Sequence, residues 1–192
     1  GGLDKYHSVI GGERCWIVHP SDIAVALTAL DAKVKIFGPA GSKTIEIDDF
    51  FSGPEIDIHR ENILGEGEFV SNIEINCEEE STSSAFLKFK ERQSMDFALA
   101  SAAVSISLTG REIYRVGVAL GGIAPIPWRL PEIEEYMLGM TIEDAKHSDR
   151  LLSKVDSSLR GAKPMSENNA YKIDLAISYL KRAMDRVFQD LC

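Results

Sequence analysis

The sequence has little with which to build a covalent or metallic framework. Cys15, Cys77 and Cys192 are its only cysteines. They are too few and too scattered for a disulfide scaffold, and too few for a four-thiolate zinc or iron–sulfur site from this chain alone. His7, His19, His59 and His147 are not spaced as a metal pair on one helix face, so each reads as a surface or structural residue. No apolar run approaches 18 residues, and no membrane span is expected. "GGLDKYHSV" lacks the basic and apolar regions of a secretory signal, which makes cytoplasmic residence the expectation. The chain opens on Gly-Gly rather than Met, which reads as an engineered start or the cut end of something longer. Walker A, GxGxxG, HExxH and GxSxG patterns are all absent. Positive charge is short as well: 21 Lys and Arg against 30 Asp and Glu leave a net charge of −9. Nucleic acid is held mainly by Lys and Arg, so the balance points instead to small molecules or protein partners.

What is present suits a compact α+β protein. A hydrophobic content of 44% over 192 residues supports one domain or two compact lobes. "CWIV" reads as a short strand, followed by a helix in which Ser21 is the N-cap and Ile23, Ala24, Ala26, Leu27 and Leu30 fall at helical spacing. "KVKIF", a "GPAG" turn and "KTIEI" read as a hairpin, "DDFFSGPEIDIHREN" as a loop or short helix, and "FVSNIEINCE" as a further strand. The polar run "EEESTSS", residues 78–84, is the candidate boundary between lobes 1–80 and 81–192. Beyond it, "AFLKFKER" alternates. Val104, Ile106 and Leu108 then pair with Val116, Val118 and Leu120 across a tip at Thr109 and Gly110. Pro131 and Thr141 each open a short helix. From Ser166 a long helix carries the apolar stripe Ala170, Ile173, Ile177, Leu180, Met184, Val187, Leu191.

Two local patterns bear on chemistry. In "PSD", Ser21 caps a helix whose first turn holds Asp22, where free N–H groups and the helix dipole create positive potential. This is either a plain cap or a place where Asp22 holds a nucleotide or ribityl hydroxyl. In "LKFKERQSMDFA", Lys88, Lys90 and Arg92 alternate along one strand and share a face. That face is either a solvated edge or a cationic edge over an anionic cofactor.

Taken together, "YHSVIGGERCWIVHPSDIAVALTALDAKVKIFGPAGSKTIEIDDFF", "LGEGEFVSNIEI", "FLKFKERQSMDFALASAAV", "VALGGIAPIPWR" and "GAKPMSENNAYKIDLA" resemble the flavin subunit of the molybdenum hydroxylases. This family includes xanthine dehydrogenase, carbon monoxide dehydrogenase and the aromatic acyl-CoA reductases. The resemblance implies the second lobe of a two-lobe FAD-binding domain (1–80), followed by a C-terminal three-stranded antiparallel sheet packed with helices (81–192). The family's N-terminal lobe, with its glycine-rich pyrophosphate loop, has no counterpart in these residues. FAD is therefore implied as cofactor, held weakly or not at all by these residues alone. By the same resemblance, Ser21 and Asp22 lie beside the flavin, Phe69 and Val70 line its pocket, and Lys88 reaches it from the first strand of the C-terminal domain. No catalytic residue and no metal ligand is implied. Cys15 matches the last ligand of a 4Fe–4S cluster found in the acyl-CoA reductase branch, but Tyr6 stands where another cysteine would be. Implied partners are a molybdopterin-containing large subunit and a 2Fe–2S small subunit, whose electrons would pass through FAD to an external acceptor. The rival reading is an assembly or docking module that has lost flavin binding.

Overall fold

A computed structural model describes residues 3–77 and 81–192. The Gly-Gly start and residues 78–80, part of the expected inter-lobe break, lie outside the described residues. Two antiparallel sheets are present. In the first, β1 (Lys33–Gly38) lies between β2 (Gly41–Glu46) and β3 (Phe69–Glu74). In the second, β4 (Thr82–Phe89), β5 (Ala100–Thr109), β6 (Glu112–Gly121) and β7 (Trp128–Arg129) follow one another in order. The expected three strands are all there, and the two-residue β7 extends them by pairing with Ala119 and Leu120. Among the described residues there are also five α-helices: α1 (Asp22–Ala29), α2 (Pro131–Met137), α3 (Ile142–Lys146), α4 (Asp149–Ser157) and α5 (Tyr171–Leu191).

The main core lies between the second sheet and α5. Val104 pairs with Val118 and Ile106 with Val116, and this face packs on Leu180, Ala183, Met184 and Val187. The buried stripe of α5 runs through Lys172, Ala176, Leu180, Ala183 and Val187. It is rotated from the expected one, leaving Ile173 and Ile177 half-buried and burying a lysine at its head. Helix α4, absent from the sequence reading, is capped by Ser148 and buries Leu151 and Val155.

The opposite face of the second sheet is lined with small residues, and α1 packs onto it. Val25 and Ala29 meet Ala103 and Ala119. Two glycines allow that approach: a Cβ on Gly117 would stand 2.0 Å from the Ala29 carbonyl oxygen, and one on Gly121 2.5 Å from Val25 Cγ2. The other side of α1 sends Leu27 into a second core with Ala32, Val34, Ile36 and Ile47. Buried on two sides, α1 needs no polar face, which explains its nearly uniform apolar sequence. It is the element packed against both sheets.

"CWIV" is not a strand. Residues 15–20 belong to no ladder and are held by Ser8 N–H on Trp16 O and His19 N–H on Ala124 O. A strand here would need a neighbour, and the adjacent β6 edge is already taken by β7. The segment before it is strapped to the later part of the chain: Val9 N–H bonds Ile123 O at 2.8 Å and Lys163 N–H bonds Val9 O at 2.7 Å.

Candidate functional site

The clearest polar constellation forms where α1 starts. Ser21 is in an extended conformation and its hydroxyl accepts the Ala24 N–H at 3.1 Å, closing the first turn. Asp22 follows with its side chain one-third exposed. Lys88, on the β4 face that carries Phe86 and Ser84 toward α1, donates from Nζ to Asp22 Oδ2 at 2.5 Å. The two residues are 66 positions apart in sequence. A partly exposed ion pair contributes only about 0–1 kcal/mol to stability, so it rearranges cheaply toward a ligand.

The other sequence candidates are arranged differently. Phe69 and Val70 sit on the edge strand β3, where their partners are Phe37, with ring centroids 5.7 Å apart, and Ile36. They present exposed apolar surface, at 54% and 36%, but their recorded partners are on β1 rather than Asp22 or Lys88. Lys90 and Arg92 do not continue the Lys88 face, because β4 ends at Phe89. Lys90 Nζ instead donates to Gln93 O and Ser94 O, and Arg92 grips Asp96 with Nε and Nη2 at 3.0 and 3.1 Å. Carbonyls and a carboxylate on the β4–β5 loop turn both side chains away from the strand's period.

Against Pro20 and the β4–β5 loop lies a cavity of about 540 Å³. Its wall contains two residues that sequence reasoning passed over. Lys172 is 1% exposed, and its Nζ donates to Tyr6 O at 2.7 Å and Gly122 O at 2.8 Å. Burial lowers its pKa to about 8. The signal was present in the sequence: Lys172 stands four residues before Ala176 and eight before Leu180, on the helix face that became core. His19 packs edge-on against Phe51, and neither ring nitrogen has a hydrogen-bond partner. Burial lowers its pKa, and Glu61 at 3.7 Å opposes that shift. Among the described residues, no group of three His, Cys, Asp or Glu side chains is placed to share a metal, and no helix is long and apolar enough to cross a membrane.

Comparison with known proteins places these features in context. Residues 5–75 match the FAD binding domain in molybdopterin dehydrogenase, and residues 84–187 match the CO dehydrogenase flavoprotein C-terminal domain. The chain is 34% identical over 150 residues to the glyceraldehyde dehydrogenase medium chain of Sulfolobus acidocaldarius, covering 78% of this chain and 50% of that one. It is 33% identical over 177 residues to the aldehyde oxidoreductase FAD-binding subunit PaoB of Escherichia coli K12, covering 91% and 51%. The chain thus spans about half the length of the curated relatives it matches. Among solved structures, carbon monoxide dehydrogenase from Hydrogenophaga pseudoflava lacking the Mo-pyranopterin moiety superposes with a TM-score of 0.72 at 25% identity, covering 89% of this chain and 60% of that one. Quinoline 2-oxidoreductase from Pseudomonas putida 86 shares the fold, with a TM-score of 0.69 at 20% identity over 100% of this chain and 60% of that one.

Proposed function

This chain belongs to the FAD-binding medium subunits of the molybdenum hydroxylases, and we propose on that footing that it holds a flavin at Asp22 and Lys88. The observation that carries the reading is their meeting across 66 positions, at the capped start of the helix packed against both sheets. The donor set suits the cofactor. Among the described residues, Asp22 keeps one carboxylate oxygen and Lys88 two ammonium hydrogens without a protein partner, and Ile23 beside them is 69% exposed. A flavin presents carbonyl acceptors and N–H and O–H donors around apolar faces, so it can use all of these. FAD, when bound, supplies reversible electron exchange, here between iron–sulfur clusters of a partner and an external acceptor.

The chain's own residues bind, orient and tune. Lys88 provides a donor and a fixed positive charge, which favours electron density on a nearby ring and raises its reduction potential. Asp22 provides the acceptor, held in place because Ser21 fixes the helix start. Phe69 and Val70 offer apolar surface for the ring. No residue is assigned acid–base chemistry on a substrate. We further infer an oxidoreductase assembly with a molybdopterin-containing large subunit and a 2Fe–2S small subunit, cytoplasmic residence, and a functional division at residues 80/81.

On these 192 residues alone the grip is expected to be weak. A flavin held from one side forgoes several charge-assisted hydrogen bonds, at about 1.5–3 kcal/mol each. Titration with FAD, followed by quenching of flavin fluorescence, tests the reading. Saturable binding weaker than micromolar is expected, and Asp22→Asn should weaken it about tenfold. Submicromolar binding would overturn the one-sided grip. A chain that emerges colourless from gel filtration and shows no saturable quenching would favour the docking module instead.

A further inference from the structure

We propose that the cavity between the N-terminal segment and the β4–β5 loop binds a small organic carboxylate, paired with the ammonium of Lys172. The inference goes beyond the flavin reading and does not depend on it, since Asp22 and Lys88 are not among the cavity's lining residues.

The charges around the cavity pair off with one exception. Glu91 accepts from Lys5 Nζ at 2.9 Å and from the Tyr6 hydroxyl at 2.7 Å. Arg92 and Asp96 satisfy each other through two hydrogen bonds. The Tyr171 hydroxyl donates to Lys5 O, and burial favours the neutral form of His19. That leaves Lys172, whose partners are two neutral carbonyls. Among the described residues its third hydrogen and its full charge have no anionic partner. An ammonium withdrawn from water without a counter-ion is costly, and an entering carboxylate would relieve that cost.

The remaining wall selects what carries the carboxylate. Val18, Pro20, Phe97 and Leu99 give an apolar lining, and about 540 Å³ lies within the usual range for small-ligand pockets. Inorganic phosphate would leave that lining unused. His19 adds a second polar group: neither ring nitrogen has a hydrogen-bond partner, and the Glu61 carboxylate stands 3.7 Å from Nδ1, which leaves Nε2 for a ligand. A neutral imidazole can donate from one nitrogen to the ligand's other oxygen.

A purely structural role for Lys172, as a strut between Tyr6 and Gly122, makes different predictions. Calorimetric titration of the full chain with benzoate at pH 7 should show saturable binding, and the neutral isostere benzamide should bind at least tenfold more weakly. Because Lys172 loses its proton near pH 8 and benzoate stays ionised throughout, affinity should fall about tenfold between pH 7 and pH 9. Lys172→Met should lose at least tenfold, while Lys154→Met, on another face, should bind as the parent does. If Lys172→Met fails to fold by circular dichroism, the benzamide comparison and the pH series still decide. Benzoate that does not saturate, benzamide that matches it, or an affinity flat from pH 7 to 9 would each overturn the proposal.

Discussion

At the scale of single residues, Lys88 and Lys90 carry the same charge two positions apart and differ in their partners. Lys88 closes on Asp22, whereas Lys90 holds two loop carbonyls. With FAD supplied, Lys88→Ala should weaken flavin binding by about 1.5–3 kcal/mol, the range for a hydrogen bond to a charged group. Lys90→Ala should change it by no more than about 0.5 kcal/mol, as surface substitutions usually do. Fluorescence titration of both variants distinguishes them, and a larger effect at Lys90 would mean that the flavin lies along the loop instead. Sequence alone could not rank the pair, because strand alternation puts both on one face. The ranking came from family resemblance, and the physical reason for it is the end of β4 at Phe89. Lys172 shows the converse. It lies outside the apolar stripe read from the sequence, and long cationic side chains usually escape to water, yet the core face of α5 includes it. Two backbone carbonyls from distant segments hold it inside.

At the scale of elements, the position of α1 decides whether Asp22 reaches Lys88. The helix lies close on β5 and β6 because Gly117 and Gly121 present no side chain to it. Gly117→Ala would place a methyl group 2.0 Å from the Ala29 carbonyl, and backbone on both sides has little room to yield. The expected cost is about 2–3 kcal/mol, read as a lower urea midpoint with an unchanged slope. Relief by lifting α1 would also separate Asp22 from Lys88, so FAD affinity should fall even though residue 117 touches neither. A destabilised variant with intact FAD affinity would show that α1 and β4 move together. Apolar alternation and caps made α1, the β5–β6 hairpin and α5 readable from sequence, since those signals are local. Which face of β6 meets a helix was not readable. "VGVALGG" carries glycines on that face, but a glycine in a strand speaks equally for a bulge, a bend or a close neighbour.

At the scale of the whole molecule, the order of segments along the chain was enough to identify the family, but the contacts joining the two sheets were not legible in it. The main polar joint is centred on Arg129 of β7. Its guanidinium bonds Asp31 at the end of α1, Asp48 at 2.9 Å beyond β2, Thr28 O at 3.2 Å and Glu134 of α2 at 3.0 Å. Asp31 takes a left-handed turn, with φ of 50°, that an aspartate tolerates better than most residues. Glu134 also accepts the buried Val118 N–H at 2.7 Å. These partners are scattered over a hundred residues, so no local pattern announces them. Burial raises the pKa of Glu134 and of Asp48, and Arg129 acts against the rise in both. Arg129→Met therefore leaves desolvated carboxylates without their cation. At pH 7.5 this should cost about 2–4 kcal/mol, somewhat under the range for fully buried pairs because the Arg129 side chain is 23% exposed. A carboxylate whose folded pKa lies above its unfolded value destabilises the fold most when ionised, and relieves it as pH falls through the folded pKa. Without Arg129 both values climb further, so the penalty should shrink when the same urea melts are run at pH 5. Acid effects elsewhere are common to both proteins and cancel in the difference. A penalty unchanged between the two pH values would mean that water replaces the guanidinium, and that Arg129 joins the sheets through packing alone.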